Sequence, residues 1–107
     1  MPKYLIEADY TAEGTKGLIK DGGSKRRTAV EAALKGVGGK LEAFYFTFGH
    51  RDAIVIADLP DDVSALALSL TVGASGSVVY KTTPLITPEE VDQAVKKTVN
   101  YRAPGGK

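Results

Sequence analysis

Leu41-Glu42-Ala43-Phe44-Tyr45-Phe46-Thr47-Phe48, then Gly49-His50-Arg51-Asp52, then Ala53-Ile54-Val55-Ile56-Ala57-Asp58-Leu59 is the stretch that decides the fold. Two runs rich in aromatic and β-branched side chains, separated by turn-forming residues, predict a β-hairpin. Strict alternation places Phe44, Phe46 and Phe48 on one face of its first strand and Leu41, Ala43 and Tyr45 on the other. In the second strand Ile54 and Ile56 oppose Ala53, Val55 and Ala57. Both faces are therefore apolar, and a sheet of this kind needs a covering layer on each side.

Upstream, Lys3 to Tyr10 alternates as a strand, with Tyr4, Ile6 and Ala8 on one face and Leu5, Glu7 and Asp9 on the other. Thr11 follows as an N-cap. Ala12 to Asp21 contains Gly14 and Gly17, each unfavourable by about 1 kcal/mol against Ala in a helix interior, which predicts a short or irregular helix. Gly22-Gly23 breaks it and Ser24 offers a new N-cap. Val30, Ala33, Leu34 and Val37 then recur at helical spacing up to the stop at Gly38-Gly39.

Downstream, Pro60 ends the hairpin and Asp61 caps a helix whose apolar stripe reads Val63, Leu66, Ala67 and Leu70, closed by Gly73 to Gly76. Ser77 to Thr83 returns to strand. Thr87-Pro88-Glu89-Glu90 combines an N-cap, a first-turn proline and a capping-box glutamate, opening a last helix with Val91, Ala94, Val95 and Thr98 inward. Residues 1–100 read as one domain and 101–107 as a flexible Pro/Gly tail. The order is βαββαβ plus a terminal helix, the split βαβ arrangement of α+β ferredoxin-like folds. It predicts a four-stranded antiparallel sheet, Lys3 to Tyr10 and Ala53 to Leu59 central, with helices on one face. A second copy of the chain is the expected cover for the other face.

Composition narrows the functional classes. With 14 Lys and Arg against 13 Asp and Glu, the net charge of +1 lacks the basic excess of a nucleic-acid or anionic-membrane binder. Zero cysteines exclude disulfides and thiolate chemistry, and fit a reducing, cytoplasmic setting. The start, MPKYLIEADY, reads as neither signal peptide nor membrane anchor. One histidine leaves no multi-His metal site, and no cofactor motif is present, so neither metal nor cofactor is expected.

Tyr10-Thr11-Ala12-Glu13-Gly14, Gly22-Gly23-Ser24-Lys25-Arg26, Gly38-Gly39, Phe44-Tyr45-Phe46 into Gly49-His50-Arg51-Asp52, and Pro60-Asp61 occur in an order that resembles the GYD domain family, over about residues 3 to 90. The family takes its name from a Gly-Tyr-Asp signature at the hairpin. Gly49 and Asp52 match it, and Arg51 stands where the tyrosine is expected. The resemblance implies a small ferredoxin-like domain of unassigned biochemical function, assembled on the plan of dimeric α/β barrel proteins.

The topology brings Tyr10, Thr11, Glu13, His50, Arg51, Asp52 and Ser77 toward one rim of the sheet. His50 and Asp52 are the catalytic candidates, an imidazole oriented by a carboxylate. The same Asp52 could equally accept backbone N–H bonds in an Asx-type turn. Tyr10, Thr11, Glu13, Arg51 and Ser77 are the candidate ligand-binding residues. Glu7 and Asp9 share one face of the first strand, and their charges need a partner there: either a ligand or a cross-strand Glu7 to Lys81 salt bridge that sets register, the latter favoured. Gly22-Gly23-Ser24-Lys25-Arg26-Arg27 offers either an anion site or a solvated helix start. Tyr4, Tyr10, Tyr45, Tyr80 and the phenylalanines lack the basic interleaving of a base-stacking sheet. Three readings follow: an oligomeric small-molecule-binding or regulatory protein, a cofactor-independent enzyme using His50 and Asp52, or a purely structural oligomer. The expected partners are the chain itself and a small molecule, with no nucleic acid and no membrane.

Overall fold

The computed structural model describes residues 1–106. Its elements in chain order are β1 (Lys3–Tyr10), α1 (Ala12–Asp21), α2 (Gly23–Gly36), β2 (Lys40–Phe46), β3 (Ala53–Asp58), α3 (Asp62–Ala74), β4 (Val78–Leu85) and α4 (Pro88–Ala94). The strands form one antiparallel sheet in the order β2-β3-β1-β4, with β1 and β3 central. This is the ferredoxin-like α+β plan that the sequence predicts.

Polar caps fix where the helices begin. The Thr11 side chain accepts the Gly14 N–H and the Asp61 side chain accepts the Ser64 N–H. Thr87 and Glu90 close a full capping box. At α2 the cap is Gly22 rather than Ser24, which is already helical. With φ of 82°, Gly22 both ends α1 and starts α2, so a single residue turns the chain between two helices. α1 is a regular ten-residue helix, not an irregular one. Gly14 is there for space: a Cβ on it would lie 2.0 Å from the Ser77 carbonyl oxygen.

Tyr4, Ile6, Val55, Ala57, Leu34, Leu59, Ala65 and Leu68 form the buried core between the sheet and the helices. The Tyr4 hydroxyl donates to Asp62 Oδ1 at 2.5 Å, and that bond, aided by burial, pushes its pKa up to about 12. On the opposite face Lys3 bridges Glu42 and Asp58, and these bonds, Glu42 foremost, hold its ammonium above the usual lysine range.

Three faces differ from the sequence reading. The β2–β3 register shifts between Leu41 and Ala43, a β-bulge that brings Leu41 onto the core side with Phe44. β2 ends at Phe46, leaving Phe48 in the turn and fully exposed. α3 buries Ala65 and Leu68 with Val72 beside them, whereas Val63, Leu66 and Leu70 are 76%, 58% and 65% exposed. α3 is apolar all round, so its period alone does not choose the inward side. α4 is the third case: Val91, Ala94, Val95 and Thr98, expected inward, are all exposed. In the expected tail Arg102 Nε donates to Gly106 O at 2.7 Å, and Lys107 lies outside the described residues.

Candidate functional site

α2 packs over β2 and α3 over β4, leaving a gap between the two helices that the sheet floors. Ile6, Ala8, Phe44, Val55, Leu68, Val72 and Val78 line this hollow of about 110 Å³. Its polar groups are few. Arg26 and Tyr80 both line it, and Arg26 Nε and the Tyr80 hydroxyl are buried atoms without a hydrogen-bond partner among the described residues. Burial raises the Tyr80 pKa, with the nearby Ser69 side chain opposing the shift without reaching hydrogen-bond geometry. The Arg26 guanidinium stands 5.8 Å from the Tyr10 ring centroid, a cation–π contact.

A second, more polar hollow of about 190 Å³ adjoins the first beneath α1. Tyr10, Arg26 and Val78 line both. Glu13, Asp21 and Ser77 give the second its polar wall. The two together form a groove that is apolar between α2 and α3 and acidic and hydroxylic near α1, with Arg26 at the junction.

Several of the sequence candidates meet here. Tyr10, Glu13 and Ser77 share the second hollow. Thr11 lies beside it, its N–H donating to Ser77 O at 3.0 Å and its hydroxyl to Gly76 O at 2.9 Å. The hairpin residues do not join them. Asp52 Oδ2 accepts the Tyr10 N–H at 2.9 Å, and the Asp52 N–H donates to Ala8 O at 3.0 Å, so its side chain anchors the hairpin to β1. His50 is exposed in the turn, with no bond to Asp52. Arg51 turns to the uncovered face of the sheet, 2.8 Å from Asp9 Oδ2 and 3.5 Å from Glu7 Oε2. Those contacts, led by the Asp9 hydrogen bond, raise its pKa. Glu7 and Lys81 are register partners as expected, but among the described residues the ion pair of Glu7 is with Arg51.

Sequence reading assigns no site role to Tyr80 and sees Arg26 only in the basic run after Gly22. Burial distinguishes them. The available signals were an arginine one turn into a helix and a tyrosine facing inward on an edge strand.

The GYD domain model matches residues 4–95. The chain belongs to the GYD domain family. In this GYD-domain protein the Arg51 side chain is held by the acidic pair Asp9 and Glu7. A search of curated proteins found no match. Among solved structures, the crystal structure of MtbAldR is similar at a TM-score of 0.53 and 16% identity, over 96% of this chain and 57% of that one. The GYD-domain chain thus spans a little over half the length of that protein, and the likeness is one of fold. Among the described residues no helix is long and apolar enough to cross a membrane.

Proposed function

We propose that this GYD-domain protein is a homo-oligomeric small-molecule-binding protein of binding or regulatory type. Its ligand is a compact, mostly apolar molecule carrying one anionic group, seated between the sheet and helices α2 and α3. One observation supports the reading: an apolar hollow whose buried polar atoms, Arg26 Nε and the Tyr80 hydroxyl, have no partner among the described residues. Buried polar groups are otherwise almost always bonded, and an unmet donor is unfavourable by about 1 to 3 kcal/mol. A ligand carboxylate would satisfy the guanidinium with a charge-assisted bond while its body fills the apolar wall.

Catalysis at His50 and Asp52 loses support, because the Asp52 carboxylate is engaged with the Tyr10 amide and His50 lies outside the groove. The oligomer half of the reading rests on the uncovered sheet face. There Tyr45 and Val79 are 70% and 66% exposed, beside the half-buried Leu5, Ile54 and Ile56. A second copy laid on that face would cover them.

The test is a thermal-shift series with small aromatic and branched aliphatic carboxylates, each beside its neutral amide. Acids should raise Tm by mass action, by about 2.7 kcal/mol of stability at a hundredfold excess over Kd, and the amides should not. If no compound raises Tm, the binding reading falls and the structural oligomer remains.

A further inference from the structure

The C-terminal segment has an apolar side and, among the described residues, no strand or other helix packed closely against it. The Cα radius of gyration is 17.4 Å and the long axis, 59 Å, is nearly twice the next at 31 Å. A compact domain of about this length has a radius near ~13 Å. The arm beyond β4, with α4 packed on no strand or other helix, fits that extension. α4 shares no packed interface with any strand or other helix, and Ile86, Val95 and Val99 are 68%, 75% and 77% exposed.

The outward aim of the arm is set by covalent chemistry. Two residues, Ile86 and Thr87, link β4 to α4. Thr87 precedes Pro88, which restricts it to extended backbone, and it sits at φ −77° and ψ 157°. A seven-residue helix with its apolar stripe in water is marginal alone and needs a surface.

The same chain carries a matching surface. From Val63 to Ala74 α3 has no charged residue, and its outer stripe of Val63, Leu66 and Leu70 is exposed. The arm leaves the sheet at the end where α3 begins, since Leu85 pairs with Lys3 and Lys3 with Asp58. α3 itself lies over β4, and the two-residue link is too short and too stiff to bring α4 back over it. We propose that the arm of one copy lies along the outer face of α3 in a second copy, Val91 and Val95 meeting Leu66 and Leu70. A two-fold axis lets each copy give and receive an arm. Helical spacing within α4 puts Glu89 and Asp92 outside the stripe of Val91, Ala94 and the C-cap Val95, so the uncharged α3 face need bury neither charge. α3 and the uncovered sheet face lie on opposite sides, so this exchange is separate from the sheet-face contact.

The chain has no cysteine, which makes disulfide trapping clean. Leu66→Cys and Val91→Cys chains, mixed, equilibrated and oxidised, should form a covalent pair at twice the 11.3 kDa chain mass, whereas neither variant alone should. Val95→Asp should halve the solution mass by light scattering with an unchanged circular dichroism spectrum, the position being exposed within the protomer. Absence of the mixed cross-link overturns the exchange, and so does a mass that Val95→Asp leaves unmoved.

Discussion

The Asp52 carboxylate accepts the backbone N–H of Tyr10 across 2.9 Å, joining the hairpin turn to the last residue of β1. The bond places Asp52 in the architecture that supports the groove, since it holds the backbone of the same Tyr10 that lines it. Asp52→Ala should lower stability by about 1 to 3 kcal/mol in urea unfolding, and Asp52→Asn, whose amide oxygen still accepts, by less. His50→Ala should stay within about 0.5 kcal/mol. A reversed order would return the hairpin to candidacy as a reactive site.

Two glycines of α1 should respond oppositely to alanine. At Gly14 a Cβ meets the Ser77 carbonyl oxygen, which belongs to backbone and cannot move aside, whereas at Gly17 it meets nothing within 4 Å. Gly14→Ala should therefore destabilise by about 2 kcal/mol or more. Gly17→Ala should stabilise by about 0.5 to 1 kcal/mol, because the glycine there carries only its entropic penalty. Thermal melts of the two variants decide it.

The hollow should trade stability against binding. Tyr80→Phe removes a buried hydroxyl that has no partner and should leave stability unchanged or raise it by up to about 1 kcal/mol. Arg26→Ala should weaken binding of a small carboxylate at least tenfold, about 1.4 kcal/mol. Calorimetry on both variants with the tightest acid from the thermal-shift series reads the two effects separately.

Asp61 links stability to pH. Its carboxylate accepts the Ser64 N–H at 2.8 Å, which holds its pKa below the ordinary value of 3.8. A carboxyl group with a folded pKa below its unfolded one contributes stability that is present above the unfolded value and is lost as pH falls through the folded one. Asp61→Ala should thus be less stable than the parent at pH 7, with the two unfolding curves converging as pH is taken below 3.8. A gap that persists unchanged at low pH would assign the effect to something other than the charged cap.

Neighbouring residues on β3 distinguish the two faces. Val55 is 4% exposed in the core and Ile56 looks to the uncovered side. Val55→Lys should abolish folding, since it buries an unpaired charge. Ile56→Lys should fold and lower the solution mass at micromolar concentration. An unaltered mass would leave the sheet face without its proposed partner.

What the sequence discloses follows from the range of the interaction. Thr11, Asp61 and Thr87 are legible as caps because each bonds an amide three residues away. The strand order is legible because crossover handedness and connection length allow few alternatives. The bulge between Leu41 and Ala43 belongs to two strands at once, so alternation along one of them put Leu41 on the wrong face. In α3 the stripe of Val63, Leu66 and Leu70 and that of Ala65, Leu68 and Val72 are equally apolar, and only packing chooses between them. Tyr10, Glu13 and Ser77 were legible at one rim from topology. That Arg26 and Tyr80 line one hollow was not, because it depends on how far apart α2 and α3 settle.

Both outer strands carry a device against lengthening. β2 is kinked by its bulge, and β4 contains Pro84, which has no N–H to offer a neighbour. A further strand would meet the kink at one side and lose a hydrogen bond at Pro84 on the other, which disfavours edge-to-edge stacking of copies into a ribbon. Growth by hydrogen bonding in the plane of the sheet is thereby disfavoured, which leaves faces and arms as the routes by which copies of this chain meet. Concentrated samples should accordingly remain free of thioflavin-positive fibres while the fold is intact.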